Sequence, residues 1–350
     1  MKHLFVAAVQ LVAALLSVQV AAQNLPAVEI TVLAGLSTRD AYRNVELPFW
    51  SKTIPANSDG RVMVEVKGFD ERGLKGPDVL RLMKQGVVEF GAVPLSYFVD
   101  DLPTTEGIDI AGLVPDAKTA RAMANAFLPT LGKVYGANFQ VRLLGISPYG
   151  PQLLFCNARV SSLADLKGLK IRTVTRTQGE LIEALGAQSV SVPFGDVPAA
   201  FGKKKLDCAI SGAMAAYKAK WYEATTHLMV LPLGWNQEIH AVGQKAWSQI
   251  DPEVQDFLVT NIDQLIDSLW SYATAQSQLA IDCNTGAKAC TLPVKGKMVL
   301  VRPTQTDLAT LRQLASQKVL PKWAARCSAQ CIADFNQTVG KIAGVTARKK

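Results

Sequence analysis

Arg172 is the residue of this chain whose position most clearly indicates chemistry. It lies in the apolar segment "GLKIRTV", which is predicted to form a short β-strand beside a Thr-rich turn. A guanidinium on a buried strand is unfavourable unless an anion pairs with it, and its planar fork of N–H donors matches a carboxylate. The residues alone leave two partners open: the carboxylate of a bound ligand, or an Asp or Glu of the same chain.

Residue patterns typical of catalysis are missing from the sequence. Beyond residue 22 the chain has two histidines, His227 and His240, and both are isolated. "GISPYG" differs from G-x-S-x-G by one residue, and "GDVPAAFGKK" has too many residues between its glycines for a P-loop. Nothing in the sequence indicates a metal site or a cofactor. We therefore predict a protein that is not an enzyme, with an enzyme acting on an organic acid as the weaker alternative.

The first 22 residues are typical of a secretory signal peptide. Lys2 gives a positive start, an uncharged apolar run follows, and Val20 and Ala22 stand where a signal peptidase needs small residues. A membrane anchor is the alternative, but the apolar run is short and polar sequence follows it directly. We therefore predict cleavage near Ala22–Gln23 and a protein of the periplasm.

The exported chain is basic, but it lacks the pattern of a nucleic-acid-binding protein. The 37 Lys and Arg residues less Lys2, against 29 Asp and Glu, give a formal charge of +7. These residues are scattered apart from two short runs, and neither run alternates with aromatic residues. No nucleic-acid partner is predicted, whereas a modest positive field favours the capture of small anions.

Six cysteines in an exported chain predict disulfide bonds. Cys283 and Cys290 bracket a glycine-containing loop and are expected to form a bridge, and the pair Cys327–Cys331 is placed to bridge a turn between helices. Cys156 and Cys208 each lie in a strand-like apolar run. They pair if those strands are neighbours, and buried free thiols are the alternative.

The order of the predicted elements indicates an α/β protein of two domains. Strands are predicted at 28–35 and 61–69, with a helical segment between them and a helix and a strand after them. This β-α-β-α-β order predicts a parallel sheet with right-handed crossovers. The same alternation restarts after "SPYGPQ" at 147–152, and a helix of about thirty residues is predicted at 251–284, where it would brace both domains.

The expected domains are discontinuous because the chain crosses between them more than once. We predict a first domain of residues 23–149 and about 237–280, a second of 150–236 and about 281–330, and a C-terminal segment of 331–350. Small ligands bind in the clefts of such proteins, beside the carboxyl ends of parallel strands. Arg172 ends one such strand.

The central part of the sequence resembles the solute-binding proteins of tripartite ATP-independent periplasmic (TRAP) transporters. The resemblance rests on "SLADLKGLKIRT" and "ALGAQSVSVPFGDVPAAFGKKKLDCAISG". The family pattern falls on Asp165–Arg172, Ala184–Ala187, Pro193–Phe194 and Asp207. The similarity covers nearly the whole mature chain and is most specific in the middle. It implies a two-domain clam-shell that closes on an organic acid and delivers it to a membrane permease.

The resemblance also implies roles for particular residues. In this family the arginine that corresponds to Arg172 pairs with the substrate carboxylate. A second arginine often stands where this chain has Gln152, and a Gly-Gln/Glu-Asn pattern often stands where it has Cys208–Ser211. With Arg172 as the one arginine of the pocket, we predict a ligand with a single carboxylate and an apolar or aromatic body. Ser211 and Gln152 are then expected beside it.

Three further residues are weaker candidates for the ligand site. Phe194 follows a strand and is suited to pack on a ligand, with core packing as the alternative. Trp235 and Asn236 lie where the chain is expected to cross the cleft, with hinge packing as their alternative. We expect a monomer. A ligand sensor for a signalling partner, built on the same clam-shell, is the main alternative function.

Overall fold

The structure is a computed structural model that describes residues 25–349, so the predicted signal peptide and its cleavage site lie outside the described residues. The described chain forms two separate β-sheets with helices packed around them. The strands are β1 (Val28–Ala34), β2 (Val62–Gly68), β3 (Phe90–Pro94), β4 (Val141–Pro148), β5 (Gln152–Cys156), β6 (Lys170–Arg172), β7 (Gln188–Val190), β8 (Cys208–Gly212), β9 (His227–Met229), β10 (Gln237–Gly243) and β11 (Val299–Val301).

The first sheet has the strand order β2-β1-β3-β10-β4. Strand β1 runs parallel to β2 and to β3, which confirms the parallel arrangement predicted for the first three strands. Strand β10 instead runs antiparallel to both of its neighbours, β3 and β4. The sheet is therefore mixed, because a strand from much later in the chain returns and inserts between β3 and β4.

The second sheet has the order β11-β9-β5-β8-β6-β7. Strand β6 runs parallel to β7 and β8, whereas β5 runs antiparallel to β8 and β9. Arg172 is the last residue of β6 and lies opposite Ala209 of β8. This places its side chain at a carboxyl end of parallel strands, where ligands bind in open α/β sheets.

The helices lie on both sheets. They are α1 (Ile54–Asn57), α2 (Gly76–Gln85), α3 (Ala117–Phe139), α4 (Arg176–Ala184), α5 (Val197–Gly202), α6 (Ala213–Lys218), α7 (Gln244–Trp247), α8 (Pro252–Asn284), α9 (Gln305–Leu314), α10 (Leu320–Arg326), α11 (Ala329–Gln337) and α12 (Val339–Ala343). None of these helices, within residues 25–349, has the length and apolar character that crossing a membrane requires.

The predicted long helix is α8, which has 33 residues. The side chain of Asp251 caps it by accepting a hydrogen bond from the backbone N–H of Glu253, and proline occupies the first helical position. Trp270 donates to the carbonyl of Ile146 in the first sheet, and Asn284 donates to Ala213 next to the second sheet. The helix therefore contacts both halves of the protein.

Helix α6 is shorter than the sequence suggested. The segment "AMAAYKAKWYEATT" at 213–226 predicts a single helix, but α6 ends at Lys218 and Lys220 takes a left-handed backbone conformation with φ of 56°. This turn redirects the chain so that Trp221 is fully buried among aromatic residues. Burial of a large aromatic side chain outweighs the cost of one strained residue.

Two segments that cross between the sheets lie side by side. One follows β4 and the other precedes β10, and Gln152 donates its backbone N–H to the carbonyl of Gly234 at 2.8 Å. The carboxylate of Asp109 accepts the backbone N–H groups of Trp235 and Asn236, both at 2.8 Å. The domain boundaries given above stay a prediction.

All six cysteines form disulfide bonds. The pairs Cys283–Cys290 and Cys327–Cys331 are bonded, which confirms the disulfides predicted for the close pairs. Cys156 is bonded to Cys208, which the sequence had left open. These two residues lie directly opposite each other on the antiparallel strands β5 and β8, so the strand order decides the pairing.

Candidate functional site

A cavity of about 650 Å³ lies between the two sheets. Its walls come from the loop after β1, the ends of β6 and β8, the segment after β4, and α8. Cavities of this size hold small organic ligands. Five of the six residues singled out from the sequence line it: Arg172, Gln152, Phe194, Ser211 and Asn236.

Arg172 is buried, with 8% of its surface exposed, and is held by backbone carbonyls. Its Nε donates to Val192 at 3.0 Å and its Nη1 donates to Ile210 at 2.8 Å. Burial lowers the pKa of Arg172 below its ordinary value. Among residues 25–349 no carboxylate lies within salt-bridge distance, so the internal ion pair that the sequence left open is not formed. The guanidinium is fixed at the cavity wall with a charge that no side chain compensates.

Gln152 and Ser211 line the same cavity as Arg172. Both side chains are buried, and β5 and β8 place Gln152 opposite Gly212 and Ser211 opposite Leu153. The amide nitrogen of Gln152 donates to the carbonyl of Gly150 at 3.0 Å. This bond fixes the direction of the amide and leaves one further N–H group and the oxygen for other partners.

The remaining candidates separate into two groups. Phe194 is 38% exposed, faces the cavity and packs on Trp221 with ring centroids 5.4 Å apart. Asn236 also lines the cavity, and its φ of 47° is one that asparagine tolerates better than most residues. Trp235 does not line it. Its buried ring packs on Trp270 with centroids 5.9 Å apart.

A second arginine lines the cavity, so the expectation of a single pocket arginine is wrong. The guanidinium carbon of Arg39 lies 3.4 Å from the centroid of the Tyr149 ring, and its Nη1 lies 2.6 Å from Oε1 of Glu238. Burial acts to lower the pKa of Arg39, but the negative charge of Glu238 raises it above its ordinary value. Arg39 thus carries a charge that a buried carboxylate already balances.

Arg39 could have been identified as a candidate for the ligand site from its position in the sequence. It belongs to "LAGLSTRD", directly after β1, and the loops that follow parallel strands are where ligands bind. Its partner Glu238 lies 199 residues away, so no local pattern indicates that the charge is neutralised.

Ion pairs also connect the two halves of the protein beside the cavity. Lys218 at the end of α6 pairs with Asp40 in the loop after β1, and both residues line the cavity. Arg176 of α4 pairs with Asp100 of the first half. Between 23% and 80% of each of these side chains is exposed to solvent, so each pair contributes little to stability.

No group of three or more His, Cys, Asp or Glu side chains between residues 25 and 349 is arranged to hold a metal ion. The polar groups that converge on the cavity are hydrogen-bond donors and acceptors together with one uncompensated arginine. Such a set is chemically suited to a small anion.

Comparison with known proteins agrees with this geometry. The profile of the bacterial extracellular solute-binding proteins, family 7 (DctP), matches residues 40–325. A TRAP periplasmic solute-binding protein of Ochrobactrum anthropi superposes with a TM-score of 0.80 at 20% identity, covering 92% of this chain and 97% of its own.

Two further solved structures share the fold. One is an extracytoplasmic solute receptor of Bordetella pertussis that binds pyroglutamic acid, with a TM-score of 0.72, 20% identity, and coverage of 89% of this chain and 99% of its own. The other is a TRAP solute-binding protein of Desulfovibrio salexigens with bound orotic acid, with a TM-score of 0.73, 18% identity, and coverage of 90% and 99%.

These findings confirm the resemblance and the clam-shell fold predicted from the sequence. The family consists of receptors that take part in transport and do not catalyse reactions. The chain belongs to family 7 of the bacterial extracellular solute-binding proteins, the solute receptors of TRAP transporters.

Proposed function

We propose that this protein captures a small organic acid with one carboxylate in the periplasm and delivers it, as a monomer, to a TRAP membrane permease. The ligand binds in the cavity between the two sheets. Its carboxylate pairs with Arg172, and its body lies against the apolar part of the wall.

The unpaired charge of Arg172 carries this proposal. A buried guanidinium without a carboxylate partner is unfavourable in the free protein, and an anionic ligand relieves that cost. The bonds to Val192 and Ile210 hold the fork in place before the ligand arrives. A preorganised fork loses little entropy on binding and favours a planar, bidentate partner such as a carboxylate.

The charge balance of the cavity supports a single carboxylate. Arg39 is paired with Glu238 and Lys218 with Asp40, so among the described lining residues Arg172 is the uncompensated cation. A second ligand carboxylate would lose its hydration without gaining a free cationic partner. Pyroglutamic acid and orotic acid, the ligands of two proteins with this fold, each carry one carboxylate.

The rest of the wall supports a compact, partly apolar ligand body. Carbon-rich side chains face the cavity from both halves of the protein, among them Leu36, Val174, Phe194 and Met214. Gln152 and Asn236 add amide groups that suit a carbonyl or hydroxyl of the ligand. Acids with a 2-oxo group, a 2-hydroxy group or a ring fit this surface best.

The test begins with the ligand that the protein carries from its native compartment. Native mass spectrometry of the periplasmic protein identifies any acid that co-purifies, and a thermal-shift panel of mono- and dicarboxylates ranks candidates. We expect monocarboxylates to raise the melting temperature most. A panel in which no organic acid stabilises the protein would refute the proposal.

Substitution of two nearby arginines tests whether Arg172 binds the ligand. Arg172→Ala should lower the affinity for the identified acid by about 30-fold or more, as expected when a buried charge pair loses one partner. Arg176→Ala is the matched control, because Arg176 pairs with Asp100 and does not line the cavity. Equal affinities of the two variants in calorimetry would exclude the role proposed for Arg172.

A further inference from the structure

Two glutamates close to Arg39 are fully buried and do not line the cavity. Glu46 accepts the backbone N–H of Gly35 through Oε2 at 3.0 Å. Glu238, on β10, contacts Arg39 through Oε1 at 2.6 Å and accepts the hydroxyl of Ser147 at 3.3 Å. Both side chains are 0% exposed, so neither carboxylate contacts bulk solvent.

Each of these glutamates has one oxygen without a hydrogen-bond partner among the described residues. They are Oε1 of Glu46 and Oε2 of Glu238. Both oxygens lie close to Gly35. A Cβ atom added at Gly35 would be 3.0 Å from Oε1 of Glu46 and 3.2 Å from Oε2 of Glu238. Two ionised carboxylates on the same side of Gly35 repel each other, and a proton on either one removes that repulsion.

The charge of Glu46 and Glu238 depends on the groups around them. The charged and titratable groups that face the two glutamates are Arg39, Tyr42, Glu71 behind Tyr42, Tyr97, Tyr149 and His240.

Most of these neighbours are neutral near pH 7. Burial lowers the pKa of His240 to about 4, and it raises the pKa of Tyr42 to about 12 and that of Tyr149 well above its ordinary value. Burial and the charge of Glu238 raise the pKa of Glu46 to about 7. A proton is a better fit than a metal cation, because Arg39 already faces the pair.

We propose that the buried pair Glu46 and Glu238 holds one proton in all, and that the single negative charge left on the pair cancels Arg39 and thereby makes the cavity select acids with one carboxylate. This inference rests on the proposed function for the identity of the ligand. The two glutamates do not line the cavity, so they act on specificity through Arg39 and are positioning residues.

The proposal predicts how each state of the pair changes binding. With the proton present, the charges of Arg39 and of the two glutamates sum to zero, and Arg172 alone attracts the ligand. When the proton leaves above about pH 7, the pair carries one excess negative charge, and affinity for any acid falls. When neither glutamate can ionise, Arg39 becomes a free cation that accepts a second carboxylate.

The first test asks, without any ligand, whether the two glutamates hold a proton. Carbon-detected NMR of the protein labelled at glutamate side-chain carboxyl groups follows their titration between pH 4 and pH 9. We expect a carboxyl signal that titrates near pH 7 and is absent from Glu46→Gln. Titration of both Glu46 and Glu238 below pH 5 would overturn the proposal, whatever the protein binds.

The effect on specificity is tested with 4-methylbenzoate and terephthalate, which differ by a methyl group and a carboxylate at the same place. The single variants Glu46→Gln and Glu238→Gln each keep one glutamate to balance Arg39, so both should retain the preference for the monocarboxylate. The double variant should shift the ratio of affinities at least tenfold toward terephthalate. An unchanged ratio in the double variant would overturn the proposal.

The two arms also distinguish this proposal from the proposed function. If neither acid binds the unaltered protein, the proposed function fails for aromatic acids, and the carboxyl titration alone tests whether the pair holds a proton.

If the double variant does not fold, the single variants provide the test. In Glu46→Gln, affinity for 4-methylbenzoate should be constant from pH 6 to pH 8.5, against a fall of at least threefold in the unaltered protein. Parallel pH profiles of the two proteins would overturn the proposal.

Discussion

Removal of the Cys156–Cys208 disulfide should cost more stability than removal of either other bridge. The three bonds join residues 52, 7 and 4 positions apart. The chain-entropy relation then gives about 4, about 2.4 and about 2 kcal/mol at 25 °C, because a longer loop restricts the unfolded chain more. The sulfur atoms of Cys156 and Cys208 are also fully buried, so their removal adds a small packing loss.

The measurement is urea unfolding of two double variants, Cys156→Ala with Cys208→Ala and Cys283→Ala with Cys290→Ala. The first should lose about 1.5 kcal/mol more free energy of unfolding than the second. Its denaturant slope should also rise, since an unbridged chain exposes more surface when it unfolds. Equal losses, or a larger loss for the short loop, would refute the reasoning from loop length.

Ligand binding separates this effect from damage to the site. Strands β5 and β8 carry Gln152, Ser211 and the Ile210 carbonyl that holds Arg172. Their backbone pairing continues through Leu154 and Ile210 without the disulfide. The affinity of the folded Cys156→Ala, Cys208→Ala variant for its acid should therefore stay within about threefold, a difference of less than about 0.7 kcal/mol.

Arg172→Lys should weaken acid binding at least tenfold in calorimetry, because an ammonium lacks the planar fork. Gln152→Arg should shift thermal-shift preference toward dicarboxylates, and an unchanged ranking would argue against a place for residue 152 beside the ligand. The raised pKa of Glu46 means that folding takes up a proton. Its contribution of up to about 3 kcal/mol is complete below pH 4.5 and lost as pH rises to 7, so Glu46→Gln should flatten the pH dependence of unfolding.

Local patterns were sufficient for much of the fold. The Asp251 cap and Pro252 fix the start of α8, and its apolar spacing continues to Asn284. The strand-helix alternation before residue 149 places β1, β2 and β3 correctly, because each element is encoded by neighbouring residues. The local pattern was insufficient at α6, where the helix ends at Lys218 and Trp221 is buried.

Contacts between distant segments were not predictable in the same way. The insertion of β10 between β3 and β4 depends on how the second half of the protein returns to the first sheet. The pairing of Cys156 with Cys208 likewise depends on β5 and β8 being neighbours. Spacing along the chain contains neither fact, since both are decided by tertiary packing.

The site shows why counting arginines is a poor guide to specificity. The sequence predicted one carboxylate from the absence of arginine at position 152, on the premise that Arg172 stands alone. That premise fails, because Arg39 lines the same cavity. The inference of a monocarboxylate nevertheless keeps its support, since Glu238 compensates Arg39 at 2.6 Å. What a pocket attracts depends on the net charge that its buried groups leave uncompensated, and a relative with arginine at 39 but neutral residues at both 46 and 238 should favour a ligand with two carboxylates.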